Sequence, residues 1–254
     1  MTTRFFSKIK TYCSFGLLLA YVFLILGPVG TWYSLIPGLR QRRQLAFHRH
    51  IRRFFYFYSY HGIWGVKPEV RNPNHETFKK PALIIANHQS ILDLPATLML
   101  HDKIVVMCGQ WVWDSKLYGG VVRFADFMPA SMPMEQMVEH CRDCMSRGYS
   151  VLIFPEGTRS EDCQVHKFRR GAFHLAEQLQ CDVIPVTLYG TGYLLPKNDF
   201  CLRKGRMLID VGERVAFGSG LMGQEHGTMT RYWHKWFVEH YAKLEAEFLE
   251  DEKR

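Results

Sequence analysis

The chain has 254 residues, with 32 Lys+Arg against 24 Asp+Glu and a pI near 9.1. That length allows one sizeable hydrophobic core, and the cationic excess suits an anionic partner: a membrane surface, a phosphorylated substrate or nucleic acid. Seven cysteines, an odd number in a chain this long, exclude a disulfide-framework class and fit reduced thiols in a cytosolic setting.

The run from Thr11 to Leu39 contains no charged residue, and "FGLLLAYVFLIL" (15–26) is almost wholly apolar, long enough for a membrane helix. A secretory signal is not expected, because no A-x-A cleavage site follows and "GPVGT" (27–31) breaks the pattern. Lys8 and Lys10 flank the run on one side and Arg40, Arg42 and Arg43 on the other. A simple span should show an asymmetry of positive charge. The expectation is therefore a shallow, re-entrant helical hairpin bending near Gly27-Pro28, with a single span as the alternative.

Basic and aromatic residues mix in "RQRRQLAFHRHIRRFFYFYSYHGIW" (40–64), the composition of a headgroup-layer helix. The other reading is a basic helix packed on a globular domain. Nucleic acid is not the expected partner, since the basic cluster adjoins an apolar anchor and no nucleic-acid-binding motif follows. The division expected is a membrane-anchoring segment over 1–64 and a catalytic domain over 65–254.

Beyond residue 81, short apolar runs alternate with helical patterns. Strands are expected at 82–86, 103–108, 150–154, 182–190 and 207–211, and helices near 94–100, 114–124, 133–147 and 168–180. This rhythm indicates an α/β fold with a mostly parallel central sheet flanked by helices. Cys141 and Cys144 form a CxxC inside one of those helical patterns, without a second CxxC, and read as ordinary helix cysteines. The closing stretch places Trp233, Phe237, Tyr241, Leu244 and Phe248 on one stripe of an amphipathic helix, to be packed on the sheet.

Chemistry concentrates after two of the strands. In "IIANHQSILDLP" (84–95), His88 precedes Asp93 by five residues, an offset of about 140° on a straight helix, so the two cannot cooperate from one. A strand ending near Asn87, a tight turn and a helix entered at Asp93, with Asp93 as its N-cap, brings the carboxylate back to the imidazole. The carboxylate then fixes the tautomer and leaves the other ring nitrogen to accept a proton. The second loop is "FPEGTRS" (154–160). There Gly157 permits close backbone approach, Arg159 offers a planar fork for phosphate, and Glu156 can accept from a hydroxyl. Ser90 has no G-x-S-x-G elbow around it, so a base without a protein nucleophile is the reading, and the substrate's own hydroxyl attacks.

"NHQSILD" resembles the H-x4-D block of the glycerolipid acyltransferases and "FPEGTRS" their E-G-T-R block, while "KFRRGAFHLA" (167–176) and "VIPVTLYG" (183–190) are similar to further segments of that family. The resemblance covers about 70–215. It implies transfer of a fatty acyl group from a CoA or acyl-carrier-protein thioester, as co-substrate and with no other cofactor or metal, to an alcohol. The usual acceptor is 1-acylglycerol 3-phosphate, giving phosphatidic acid. It also implies His88 as base, Asp93 as its orienting partner, and Glu156, Gly157, Thr158 and Arg159 as the acceptor site, with Arg159 on phosphate. The lipid substrate and basic flanks suggest the inner (cytoplasmic) membrane, with the catalytic domain on its cytoplasmic side. One block departs: in "GGVVRFADFMPASMP" (119–133), Arg123 falls early and "MPAS" occupies the place of a usual arginine. The acceptor therefore stays open between 1-acylglycerol 3-phosphate and another lyso-lipid or hydroxylated lipid. A non-catalytic membrane-binding protein is the remaining alternative.

Overall fold

The structure, a computed structural model, describes residues 2–35 and 40–251; Leu39, which closes the uncharged run, lies outside them. Seven strands form one sheet: β1 (Val66–Arg71), β2 (Leu83–Ala86), β3 (Ile104–Cys108), β4 (Met128–Pro129), β5 (Ser150–Ile153), β6 (Val183–Tyr189) and β7 (Gly205–Val211). Their order is β1-β7-β6-β2-β5-β3-β4, and every neighbouring pair is parallel except β6 with β7. The central strands β2, β5 and β6 are buried at every position, which is why they read as continuous apolar runs rather than alternating ones.

The helices are α1 (Thr2–Tyr21), α2 (Gly27–Leu35), α3 (Arg40–Phe57), α4 (Asp93–Leu98), α5 (Gln110–Trp113), α6 (Gly119–Phe124), α7 (Met134–Ser146), α8 (Arg170–Leu179), α9 (Thr191–Leu194) and α10 (His226–Asp251). Of the expected helix over 114–124 only α6 is helical; a separate turn, α5, precedes the range, and between the two the Ser115 hydroxyl accepts from the Leu117 and Tyr118 N–H groups and turns the chain. β1 was not expected. "VKPEVR" carries charge and proline, and it can be a strand because it lies at the sheet edge, where a missing N–H costs no ladder bond. The departing block forms α6 and the edge strand β4, and Arg123 donates to the Trp113 carbonyl oxygen at 2.8 Å.

On α10 the residues Trp233, Phe237, Tyr241, Leu244 and Phe248 are all buried, as the stripe predicted. Cys141 and Cys144 are fully buried on α7, and burial pushes both thiols up to about 12. All seven cysteines are free thiols.

The amino-terminal hairpin differs from expectation in where it turns. The chain stays helical through Gly27-Pro28, passing from α1 to α2 by a π-turn at Val22–Leu26 in which the Gly27 N–H bonds the Val22 carbonyl. One extra residue in that turn makes room for the Pro28 ring and its missing donor. α2 ends at Leu35 and the next helix, α3, begins at Arg40. From there α3 runs back beside the first helix, with Tyr21 stacked on Phe54 at 3.7 Å and Phe47 against Gly30. Phe5–Tyr33 is long and apolar enough to cross a membrane, with a mean hydropathy of 2.0. It is nonetheless tied to the globular body near both ends. The Thr11 hydroxyl accepts from the Leu202 N–H at 2.7 Å, and Gly30 and Tyr33 lie against Phe124.

α3 splits its faces. Phe47, Ile51, Phe54 and Phe55 join the main core, whereas Arg49, Arg53, Tyr56 and Phe57 face outward. Gln44 and His48 hydrogen-bond the Phe124 and Ala125 carbonyls, so this helix is part of the domain's packing. Replacing Phe47, 0% exposed, by alanine is expected to lower unfolding free energy by about 3–5 kcal/mol, read as a shift in denaturant midpoint.

Candidate active site

β2 and β5 are direct neighbours in register, Leu83 beside Val151 through Ile85 beside Ile153, so their carboxyl ends deliver two loops to one place. Sites of open α/β sheets form outside such ends. Asn87 extends the ladder with its side chain. Its Nδ2 donates to the Leu188 carbonyl at 2.9 Å and its Oδ1 accepts from the Leu188 N–H at 2.7 Å. The chain then turns, and His88 comes to rest with its ring stacked on Phe154 at 4.3 Å.

Asp93 is fully buried, and its Oδ2 accepts from His88 Nδ1 at 2.8 Å, from the Gln89 N–H at 2.6 Å and from the Ser90 N–H at 2.7 Å. It is not the N-cap of α4, as the sequence had suggested. Leu92 holds that position, and Asp93, the first helical residue, caps the turn behind it instead. The carboxylate thereby fixes the His88 ring from the Nδ1 side. His88 Nε2 has no partner among the described residues, and the side chain remains 22% exposed. A tautomer with the proton on Nδ1 and a lone pair at Nε2 is what this arrangement selects.

The second loop clamps the first. The His88 N–H donates to Glu156 Oε1 at 2.8 Å, and the Ser160 N–H donates to the His88 carbonyl at 2.7 Å. Glu156 Oε2 accepts from the His166 N–H at 3.2 Å, so this side chain, 4% exposed, spans the His88 turn and the segment before α8. Both oxygens are occupied by backbone. Gly157 adopts φ +71°, and a Cβ there would lie 2.5 Å from the Arg169 guanidine Nε. Glycine is required twice over, for conformation and for space.

Arg159, half-buried, carries no hydrogen bond or ion pair among the described residues, and it sits one residue before the Ser160–His88 link. Thr158 is exposed and its hydroxyl accepts from Lys197 Nζ at 3.3 Å. Ser90 is buried with its hydroxyl donated to the Leu195 carbonyl at 2.7 Å, away from any nucleophilic task. Sequence reasoning missed Asn87, Phe154, Ser160, Lys197 and Tyr241, whose hydroxyl donates to Gln89 Oε1 at 3.1 Å from α10. The two-residue neighbourhoods of the motifs could have flagged Asn87 and Ser160; nothing local points to Tyr241.

Burial raises the Glu156 carboxyl from 4.5 to about 8, against the two N–H groups that lower it. The folded state thus holds a proton that the unfolded chain releases, and the stability from this group, complete below pH 4.5, is lost as pH rises through about 8. Glu156→Gln is expected to flatten the fall in melting temperature across that window. Gly157→Ala is expected to cost about 1–3 kcal/mol and to displace Arg169, read in denaturation and in the pH-independent melting temperature.

Residues 67–189 match the family model described as Acyltransferase. A 1-acyl-sn-glycerol-3-phosphate acyltransferase of Chlamydomonas reinhardtii is 35% identical over 140 residues, 52% of this chain and 41% of that protein. The alpha form of 1-acyl-sn-glycerol-3-phosphate acyltransferase from Mus musculus is 32% identical over 157 residues, 59% of this chain and 53% of that protein. The alignments thus span about half the length of these relatives. The crystal structure of the 1-acyl-sn-glycerophosphate (LPA) acyltransferase PlsC from Thermotoga maritima superimposes with a TM-score of 0.80 at 19% identity, over 96% of this chain and 99% of that one, which shows a shared fold. The two loops that hold His88 and Arg159 both lie inside the segment that matches the Acyltransferase model.

Proposed function

We propose that this protein is a membrane-associated acyltransferase that moves a fatty acyl group from a thioester to the free hydroxyl of 1-acylglycerol 3-phosphate, giving phosphatidic acid. The observation that carries the reading is the His88–Asp93 contact of 2.8 Å with His88 Nε2 left unpartnered. Similarity to proteins named as 1-acyl-sn-glycerol-3-phosphate acyltransferases supports the acceptor.

In the proposed reaction His88 Nε2 takes the proton of the acceptor hydroxyl as its oxygen attacks the thioester carbonyl. The tetrahedral intermediate expels the thiolate, which recovers the proton from the imidazolium, so one ester forms and one thiol leaves. Asp93 stabilises the imidazolium through Nδ1 and does not itself take the proton. General-base assistance of this kind contributes about 10²–10⁴ in rate. Arg159, with no anion to satisfy it among the described residues, is available to the acceptor's phosphate. Glu156 acts through His88 as a positioning residue, since both its oxygens are held by backbone N–H groups. The N–H groups of His88, Gln89, Ser90, Leu92 and Asp93 are engaged within the protein, which leaves the start of α4 few free donors for an oxyanion.

The membrane setting we propose is shallow burial in one leaflet. A helix tied to the body at Thr11 and again at Gly30 and Tyr33 lies along that body, over about 33 Å, whereas a span would carry one end to the far side. Phe5, Leu24 and Trp32 are exposed on it, and Arg49, Arg53, Tyr56 and Phe57 form the outer face of α3. Such surfaces suit acyl chains and anionic headgroups. The site chosen is the inner membrane with the catalytic domain on the cytoplasmic side, where CoA and acyl-carrier-protein thioesters are available.

His88→Ala is expected to abolish thiol release from acyl-CoA in the presence of lysophosphatidic acid while the melting temperature holds; near-normal turnover overturns the base assignment. Arg159→Ala is expected to raise KM for lysophosphatidic acid at least tenfold and to leave an acceptor without phosphate unaffected. A panel of lyso-lipids on one acyl-CoA separates the acceptors. Phe5→Ser, Leu24→Ser and Trp32→Ser together are expected to weaken vesicle flotation; unchanged flotation counts against leaflet burial.

A further inference from the structure

Behind Glu156 a half-open cavity of about 710 Å³ lies between the start of α8 and the first turns of α10. Its walls carry Lys167, Arg169, Arg170 and Arg231, and the sole carboxylate among its lining residues is Glu156. Among the described residues, the Lys167, Arg169 and Arg170 side chains make no ion pair or hydrogen bond, and Arg231 bonds only the Thr228 hydroxyl, at 3.3 Å. Four exposed like charges around a single buried carboxyl, itself held by two backbone N–H groups, leave a positive field that a bound anion would satisfy. The first turn of α8 faces the same way. Its N-cap, Arg169, contributes no side-chain bond, and a Cβ on Gly171 would meet nothing within 4 Å. Helix starts with open N–H groups favour phosphate. Phe168 and His234, packed edge to face at 5.4 Å, add an aromatic wall.

We propose that this cavity binds the nucleotide end of an acyl-coenzyme A donor, the 3′-phosphorylated adenosine diphosphate; this rests on the acyl-transfer reading. Size and charge both favour it over a lone phosphate. A cavity of this volume is in the range that holds a drug-sized ligand. The nucleotide carries about four negative charges, two on the diphosphate and nearly two on the 3′-phosphate, equal to the cations around it. The cavity also adjoins the chemistry, since Glu156 both lines it and accepts the His88 N–H at 2.8 Å. Arg169 lies at the junction, over Gly157 of the second loop. A thioester held by its nucleotide here has its acyl end free to reach His88, while Arg159 is left to the acceptor. The consequence for specificity is a preference for CoA over a carrier protein, whose prosthetic arm has no nucleotide.

The test uses the full-length protein in detergent and the Lys167→Gln, Arg170→Gln, Arg231→Gln triple variant. Calorimetric titration with coenzyme A and with adenosine 3′,5′-bisphosphate is expected to show binding to the wild type and at least tenfold weaker binding to the variant, with unchanged melting temperature. If the triple variant melts early, Arg231→Gln alone is titrated in the same way. In turnover, KM for acyl-CoA is expected to rise at least tenfold, whereas KM for acyl-pantetheine, which has no phosphate, and for lysophosphatidic acid stays put. Undiminished coenzyme A binding by the variant overturns the proposal. So does inorganic phosphate that competes as well as the nucleotide, or a rise in KM for lysophosphatidic acid instead. Loss of binding to phosphatidylglycerol vesicles with coenzyme A binding intact overturns it in favour of a lipid surface. Nucleotide binding that the variant loses, in a protein that acylates no lyso-lipid, upholds the cavity and overturns the acyl-transfer reading.

Discussion

A single buried carboxylate oxygen organises the site. Asp93 Oδ2 takes three donors, the His88 ring and the Gln89 and Ser90 N–H groups, and so fixes both the backbone of the turn and the plane of the imidazole. Charge-assisted hydrogen bonds are about twice as strong as neutral ones, and burial strengthens them further. The aspartate itself is held because it opens α4, whose apolar residues Ala96, Leu98 and neighbouring Met99 lie in the core. Packing of a short helix is thus converted into the orientation of one ring.

The other side of the ring is set by a different device. Glu156 and Ser160 grip the His88 N–H and carbonyl from the loop after β5, and that loop is where it is because β5 pairs with β2 in parallel. Tyr241 adds a third support from the closing helix by way of Gln89. The groups that face outward, His88 Nε2 and the Arg159 guanidinium, are those with no protein partner among the described residues. Asp93 Oδ2, both Glu156 oxygens and the Asn87 amide hold the loops, and the outward-facing groups are left for a ligand.

Much of this was legible in the order of residues. Apolar runs without alternation predicted buried parallel strands, and the placement of His88-Asp93 and Glu156–Arg159 directly after two of them pointed to the loops that the sheet brings together. The role of Glu156 was not legible, because a carboxylate looks the same in sequence whether it meets a substrate or two backbone N–H groups. The direction of Asp93 was misread for a related reason: an acid at a helix start caps forward by habit, and here the N–H groups behind it are closer. β1 escaped notice since an edge strand needs no alternating pattern, and the bend expected at Pro28 was absorbed by a π-turn. Tyr241 reaches its partner from 152 positions away, a distance no local pattern encodes.

The rod formed by α1, the π-turn and α2 is fastened to the body near Thr11 and near Gly30, so it cannot act as a flexible stalk. A head on a stalk would sample depths and tilts, and would meet its substrates in three dimensions. In the proposed leaflet setting the rod lies flat and riveted, the whole molecule rides at one height, and its search for an acceptor becomes lateral diffusion in a plane. The proposed product would leave sideways into the same sheet of lipid, with no step in which its chains must be wetted.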